Sequence, residues 1–308
     1  MKKTAFCLAL ILCLAQLFSC GGAGDSSKDG VALTDAFGNT VYLQKGARVV
    51  CCYGSFAECW LLSGGSLIGV TSDAVDEGRL GGEQIEIVGS VKEIDLEKLV
   101  SLAPDYVILS ADLAAHIKLK ESFSSLSIPH GFFRVDTFDD YSALMRSFCA
   151  VNERPELYEK NVLEVRARID EIKSKIPKEN GKSVLLMRAY SSGIKAKTDD
   201  NLAGVILKEF GLSNIASEVP SLLENMSVEH IVARDPDYIF VLTMGSAAGA
   251  AAYLKDNIEN NPAWSGLTAV KNGNYKVLPK ELFHYKPNEK WAESYEYLAK
   301  IIFPDIFR

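Results

Sequence analysis

Two stretches of the chain, residues 95–109 (DLEKLVSLAPDYVIL) and residues 227–241 (SVEHIVARDPDYIFV), align without a gap. Glu, Val, Pro, Asp and Tyr are identical between them, and aliphatic residues match aliphatic residues at several other positions. Each stretch predicts a helix, a Pro-Asp turn and then a buried strand. A unit of this kind, present once in each half, predicts two lobes built on the same plan.

The sequence around each copy continues as alternating strands and helices. This alternation is typical of a parallel sheet covered by helices, so both halves are predicted to be α/β. A short hairpin is predicted before the first sheet, at residues 31–43. Strands are predicted at residues 48–52, 67–71, 106–109 and 129–135 in the first half and at 183–187, 238–242 and 275–278 in the second.

A long charged helix is predicted between the halves, at residues 155–176 (PELYEKNVLEVRARIDEIKSKI). Its apolar residues recur at helical spacing. Pro155 suits the first helical turn, and Pro177 ends the helix. At about 1.5 Å per residue the helix would be roughly 33 Å long, which suits a connection between two lobes.

These observations predict an α/β fold with two Rossmann-like lobes joined by a single long α-helix. The chain would divide into an N-terminal lobe at residues 31–151, an inter-lobe helix at 152–177 and a C-terminal lobe at 178–308.

The first residues, 1–20 (MKKTAFCLALILCLAQLFSC), are typical of an export signal. Lys2 and Lys3 precede an apolar stretch that is too short for a comfortable membrane span. The segment 17–20, LFSC, resembles a bacterial lipobox, in which the cysteine is acylated and becomes the mature N-terminus. Cys20 is therefore the predicted lipid attachment site, an ordinary signal with a chance cysteine being the alternative. Residues 21–30 are predicted to form a flexible tether.

Composition excludes several classes of partner. Of the 308 residues, 40 are acidic and 33 are basic, for a formal net charge of −7 that falls by a further two when Lys2 and Lys3 leave with the signal. An acidic surface argues against nucleic-acid binding and offers no basic patch for anionic lipid. Small molecules and proteins remain as partners, and nothing in the sequence indicates more than a monomer.

Seven cysteines are present. Four of them lie beyond the signal and the lipid site, and their spacing fits neither a zinc site nor a CxxC motif. We predict that these cysteines are buried thiols. The alternative is that two of them form a disulfide bond, as the environment of an exported chain would allow. These cysteines are Cys51, Cys52, Cys59 and Cys149.

The order of these segments resembles the ABC-transporter solute-binding proteins for iron complexes and cobalamin. The segments that carry the resemblance are residues 48–70, 88–109, 201–215 and 261–277. The resemblance implies a ligand cleft between the lobes and delivery of a ferric siderophore, haem or a corrinoid to an ABC permease. It implies a binding protein without catalytic residues or a cofactor, located outside the cytoplasm. Together with the lipobox, this predicts a protein anchored by lipid to a bacterial membrane, at the cell surface or in the periplasm. The segment 53–58, YGSFAE, lacks the Pro and Thr that the family often has there, so ligand identity stays open.

Glu97 and Glu229 fall at the same place in the two repeat copies. In similar proteins, carboxylates at these positions dock against arginines of the permease. Two carboxylates held apart by a stiff helix would fix the orientation in which the protein docks on the permease, and they would steer the encounter between the two. The alternative is two ordinary solvated acids on helix surfaces.

The cleft is expected at the carboxyl ends of the parallel strands. Arginines there would meet an anionic chelate, and aromatic rings would stack on a flat ligand. Arg188 and Tyr190 are two residues apart after an apolar strand, so they would point to the same side. Ordinary surface arginines or core aromatics are the alternative for each. The candidate ligand-binding residues are Tyr53, Arg79, Arg134, Arg188, Tyr190, Met244, Phe283, His284 and Tyr285.

Metal and enzyme signals are weak. The chain has four histidines, none paired at HxH or HxxxH spacing, so no dedicated metal site is predicted. Convergence of distant residues on a bare ion stays open, as does axial ligation of haem by His284 or a cleft tyrosine. No phosphate-loop, nucleophile-elbow or HExxH motif is present. Two alternatives therefore remain: an exported α/β enzyme of this shape, and a haem- or metal-binding surface receptor not coupled to transport.

Overall fold

A computed structural model describes residues 29–218, 223 and 228–307. The predicted export signal, Cys20 and residues 21–28 of the tether lie outside the described residues. Among the helices that are described, none combines the length and apolar content that a membrane span requires.

The N-terminal lobe is built on a five-stranded parallel sheet, preceded by an antiparallel hairpin. The hairpin strands are β1 (Val31–Thr34) and β2 (Thr40–Leu43). The sheet contains β3 (Val49–Cys51), β4 (Leu67–Val70), β5 (Glu86–Ile87), β6 (Tyr106–Ser110) and β7 (His130–Phe133), in the order β5-β4-β3-β6-β7. The two central strands, β3 and β6, are buried along their whole length, as parallel strands covered on both faces must be.

Six helices cover this sheet. They are α1 (Gly54–Leu62), α2 (Ser72–Asp76), α3 (Leu96–Ser101), α4 (Ala114–Ile117), α5 (Lys120–Ser125) and α6 (Phe138–Val151).

The connection between the lobes is helical, as predicted, but it is not α-helical throughout. It consists of α7 (Pro155–Tyr158), a π-helical turn (Glu159–Leu163) and α8 (Glu164–Lys175). The π-turn surrounds Asn161, whose backbone carbonyl accepts a hydrogen bond from the Tyr141 hydroxyl at 3.1 Å. Its side chain donates to the Leu62 carbonyl at 3.0 Å. A π-turn frees backbone carbonyls, so this anchorage to the N-terminal lobe explains the irregularity.

The C-terminal lobe has a second five-stranded sheet. Four strands are parallel in the order β10-β8-β11-β12, and β9 pairs antiparallel with β8. The strands are β8 (Ser183–Tyr190), β9 (Gly193–Lys197), β10 (Ser213–Asn214), β11 (Tyr238–Thr243) and β12 (Tyr275–Val277). Within its described residues the α-helices are α9 (Leu202–Glu209), α10 (Ile215–Glu218), α11 (Val228–Arg234), α12 (Ala247–Leu254), α13 (Thr268–Lys271), α14 (Lys280–Phe283) and α15 (Trp291–Ile302).

The internal repeat predicted from the sequence is also present in the backbone. Ala103 and Asp235, at matched positions after α3 and α11, both adopt a left-handed conformation, with φ of 46° and 39°. The carboxylates of the next matched pair, Asp105 and Asp237, each accept a backbone N–H at 2.8 Å, from Arg48 just before β3 and from the first residue of β8. The two copies therefore share one turn geometry, and the two-lobed α/β prediction is confirmed.

One continuous set of buried side chains runs through both lobes and the helix between them. Trp291, at the start of α15, is fully buried and packs edge-on against Phe138 of the N-terminal lobe, with ring centroids 5.8 Å apart. Helix α15 also packs along α8. A shared apolar core of this kind limits the lobes to small relative movements.

Candidate functional site

A cleft of about 340 Å³ lies between the two lobes. The N-terminal lobe contributes the residues that follow β6 and β7, and the C-terminal lobe contributes β8, β9, the start of α9 and the segment after α14. Carboxyl ends of parallel strands meet at one edge of a sheet, which is why the cleft forms there. Its lining residues are Asp112, Arg134, Val135, Asp136, Arg188, Lys197, Asp200, Asn201, Leu202, Phe283, His284, Tyr285 and Lys286.

Arg188 leaves one buried hydrogen-bond donor of the cleft without a partner in the described part of the chain. It lies near the end of β8, and the donor is its Nε. An unpaired donor on a buried charged group is costly, and native proteins rarely leave one without a reason. The chemistry of this donor fits an anionic acceptor bound in the cleft.

Lys286 crosses the cleft from the C-terminal lobe. Its Nζ donates to the Val135 carbonyl and lies 3.5 Å from a carboxylate oxygen of Asp136 and 3.9 Å from one of Asp112. Arg134, on the opposite wall, is half exposed and pairs with Asp112 at 2.6 Å. Positive side chains from both lobes therefore face the same space.

Arg79 was predicted to line the cleft, but the structure places it outside the cleft lining. It is 8% exposed and does not line the cavity. Its guanidinium pairs with Glu58 and Glu77, donates to the Lys286 carbonyl at 3.2 Å and lies over the Tyr285 ring at 5.4 Å. Burial disfavours the charged form, but the two carboxylates more than offset this and raise the pKa of Arg79. Arg79 therefore connects the lobes behind the cleft wall.

The remaining candidates divide into two groups. Phe283, His284 and Tyr285 line the cleft, whereas Tyr190 and Met244 lie at the ends of β8 and β11 without lining it.

Tyr53 caps the start of α1 at the end of β3 and is half-buried. Burial, followed by the charges of Glu77 and Asp73, raises the pKa of Tyr53 to about 12. Its ring packs edge-on against Phe56, with centroids 5.1 Å apart. Tyr53 is thus a neutral phenol, and it is not one of the residues that line the cleft.

Several charged or polar cleft residues were missed by the sequence analysis. Asp112 lies two residues after β6 and Asp136 three residues after β7, and that position shortly after a strand was the signal available for them. Lys286 adjoins the aromatic trio already singled out. Lys197, Asp200 and Asn201 come from β9 and the loop after it, an antiparallel addition for which no strand was predicted.

The two repeat glutamates lie away from the cleft lining. Glu97 and Glu229 are both exposed, in the first turns of α3 and α11.

The four cysteines beyond the predicted lipid site are all buried and form no disulfide bond with one another. Cys51, Cys52, Cys59 and Cys149 are buried free thiols. Burial raises their pKa values, which makes them unreactive.

Within residues 29–218, 223 and 228–307, no three His, Cys, Asp or Glu side chains converge as a metal cage would require.

His284 should titrate far below the usual range for histidine. Burial lowers the pKa of His284 to about 4, and the cations Lys280, Arg188 and Arg79 act in the same direction. Between the ordinary value near 6.5 and about 4, the unfolded chain binds a proton that the folded chain does not. The free energy of unfolding should therefore fall as pH falls through this window. NMR titration of the imidazole resonances gives the midpoint directly.

His284→Gln identifies the resonance and should remove part of this pH dependence; the rest includes His116, whose pKa is also lowered by burial. A midpoint near 6.5 would contradict the half-buried, cation-flanked position of His284 described here.

Comparison with known proteins agrees with this architecture. A family model described as periplasmic binding protein matches residues 49–282. The Fe(3+)-citrate-binding protein YfmC of Bacillus subtilis is 27% identical over 274 residues, covering 87% of this chain and 84% of that protein. A putative ABC transporter substrate-binding lipoprotein of the same organism, YhfQ, is 27% identical over 293 residues and 89% of each chain.

Among solved structures, the petrobactin-binding protein YclQ of Bacillus subtilis superposes with a TM-score of 0.66 at 21% identity. The superposition covers 91% of this chain and 100% of that one, so the whole two-lobed architecture is shared. The family model covers most of the chain and the fold agrees with it along its length. This chain belongs to the periplasmic binding protein family.

Proposed function

We propose that this protein is the extracytoplasmic solute-binding component of an ABC importer, and that it captures an anionic iron chelate in the inter-lobe cleft. The observation that carries the proposal is the buried, unpartnered Nε of Arg188 in a cleft faced by cations from both lobes. Hydrogen bonds between a guanidinium and an anionic oxygen are about twice as strong as neutral ones. An anionic ligand would complete the hydrogen bonding that the protein alone leaves incomplete.

Size and polarity narrow the ligand class. The cleft, at about 340 Å³, is near the lower end of the range of about 300–1,000 Å³ typical of small-molecule sites. Ten of its thirteen lining residues are charged or polar, the exceptions being Val135, Leu202 and Phe283. A flat macrocycle such as haem or a corrinoid would need larger apolar walls. A compact ferric chelate with exposed carboxylates fits better, and the ferric citrate that the relative YfmC is named for is of this kind.

The mechanism needs binding, small lobe movements and release, without any covalent step. Arg188 and Arg134 would hold the anion from opposite lobes, and Lys286 would exchange its present carboxylate and carbonyl partners for ligand oxygens. The shared core beneath the cleft keeps both walls in register. Docking through Glu97 and Glu229 would then present the loaded cleft to the permease.

Calorimetry of the purified mature protein tests this function directly. The ligands to compare are ferric citrate, a ferric siderophore, haem, cobalamin and the free ions Zn²⁺ and Mn²⁺. We expect tight binding of ferric citrate or another carboxylate chelate, with little or no heat from the free ions. Tight binding of a free divalent ion, without binding of any chelate, would contradict the proposal.

We further propose lipid anchoring through Cys20, which the name of the relative YhfQ as a lipoprotein supports. Cys20→Ser should abolish incorporation of labelled fatty acid and release the protein from the membrane fraction. Acylation requires the cysteine thiol, so serine cannot replace it. Cys13→Ser, within the same apolar segment, is the matched control and should be labelled normally. Continued labelling of the Cys20→Ser protein would refute the lipobox assignment.

A further inference from the structure

We propose that Asp112 and Asp136 form a charge filter in the cleft, which discriminates against a chelator that has not bound its metal. The filter acts by repulsion, because the two carboxylates oppose a ligand whose own carboxylates are not neutralised by a bound metal ion. This inference rests on the proposed function, since it concerns how the proposed anion site chooses among anions.

The first argument is the balance of charge in the cleft. Four cations and three carboxylates line it, so their formal charges sum to +1. His284 adds no charge at neutral pH, since burial lowers its pKa to about 4. A cleft lined by cations alone would attract most strongly the small anion with the highest charge. Here the acids offset that attraction. The charged residues are Arg134, Arg188, Lys197 and Lys286, with Asp112, Asp136 and Asp200.

The second argument is that two of these acids already occupy the cations that a ligand would use. Asp112 pairs with Arg134 at 2.6 Å and lies 3.9 Å from Lys286, while Asp136 lies 3.5 Å from the same lysine. The two acids follow neighbouring strands, β6 and β7, and Lys286 reaches them from the opposite lobe. A ligand carboxylate that takes over either cation therefore leaves a protein carboxylate close beside it.

The third argument is the difference that a bound metal makes to the ligand. Without iron, each ionised carboxylate of citrate keeps its full negative charge. Fe³⁺ neutralises part of this charge when it binds, so the ferric chelate carries less net negative charge for each carboxylate. Repulsion between like charges grows with the charge on both partners. Asp112 and Asp136 should therefore weaken binding of iron-free citrate more than they weaken binding of ferric citrate.

The test measures the affinity of the purified mature protein for ferric citrate and for iron-free citrate by titration calorimetry. Asp112→Asn and Asp136→Asn remove the charge and keep the shape of the side chain. Both side chains are partly exposed, at 37% and 48%, so the amides leave no unpaired group in the core. Each variant should bind iron-free citrate about threefold more tightly, and the double variant about tenfold, which corresponds to about 1.4 kcal/mol. For ferric citrate, the double variant should gain only about threefold.

Asp139→Asn is the matched control. Asp139 also pairs with an arginine, Arg166, but it is not one of the residues that line the cleft. This variant should bind both forms of citrate as the wild type does. At about 1 M NaCl the Debye length is about 3 Å, so the gains of the two cleft variants should largely disappear. A gain that persists at high salt would refute charge repulsion as the cause.

The remaining outcomes separate this inference from the proposed function. If the substitutions weaken binding of ferric citrate, the two carboxylates hold the cations in position for the ligand, and the filter is refuted while the anion site stands. No gain, or an equal gain for both forms of citrate, would also refute the filter. Wild-type protein that binds neither form would overturn citrate as the ligand and this inference with it. Calorimetry with the other chelates would then decide the proposed function separately.

Discussion

Replacing Arg188 by alanine should weaken binding of an anionic ferric chelate about ten- to a hundredfold. A hydrogen bond to a charged group contributes about 1.5–3 kcal/mol, and about 1.4 kcal/mol corresponds to a factor of ten in affinity. The effect should approach the upper part of this range, because the Nε of Arg188 is buried and makes no hydrogen bond to the described protein. Titration calorimetry with ferric citrate measures the change.

Arg188→Lys keeps the charge but loses the planar fork of donors, so its affinity should fall between those of wild type and Arg188→Ala. Arg168→Ala is the matched control. Arg168 lies on α8, half exposed, pairs with Glu296 at 3.6 Å and is not one of the residues that line the cleft. It should bind the chelate normally. Equal affinity of the Arg188→Ala and Arg168→Ala proteins would remove the main support for an anion site at β8.

Replacing Asn288 by alanine should lower the free energy of unfolding by about 2–5 kcal/mol. Asn288 is fully buried and belongs to the segment that leads from the cleft into α15. Its Nδ2 donates to the Ser55 carbonyl at 2.9 Å and to Glu58, and its Oδ1 accepts from the Cys59 thiol at 3.2 Å. Alanine leaves these buried groups unpaired, at about 1–3 kcal/mol. Urea denaturation measures the loss.

Backbone strain contributes separately at this position. Asn288 has φ of 52°, a left-handed conformation that costs alanine about 1–2 kcal/mol and glycine almost nothing. Asn288→Gly should therefore be destabilised less than Asn288→Ala by about that amount. Asn272→Ala, at the exposed end of α13, should change stability by less than about 0.5 kcal/mol. If all three variants unfold alike, Asn288 does not join the lobes in the way its contacts indicate.

Much of the architecture could be predicted from local signals in the sequence. Alternation of apolar strands and helices, the repeat at residues 95–109 and 227–241, and the charged helix between the halves each depend on neighbouring residues. Ala103 and Asp235 both adopt a left-handed backbone conformation, so the sequence repeat corresponds to a shared backbone geometry. The antiparallel strand β9 was missed because its segment, GIKAK, is short and carries two lysines.

The candidate site was predicted only in part, because it depends on which residues the two lobes bring together. Arg134, Arg188 and the trio 283–285 follow or end elements, and the structure places them around one cavity. Tyr190 and Met244 also lie at or just after strand ends, but they do not line the cavity. Arg79 pairs with glutamates 2 and 21 residues away along the chain, and no local pattern indicates that second partner.

The sequence by itself therefore determined the class of fold, the two matched lobes and the helix between them, because those features follow from periodicity and turn chemistry within short segments. It also determined the acidic charge and the repeated segment. Only the tertiary structure decided which cations face the cleft. It also decided that two glutamates balance the charge of Arg79 outside the cleft lining, and that the Nε of Arg188 lacks a hydrogen-bond partner. Those properties arise where segments more than a hundred residues apart come within hydrogen-bonding distance, as Lys286 and Val135 do. Burial and pairing at such contacts depend on the packing of the whole chain.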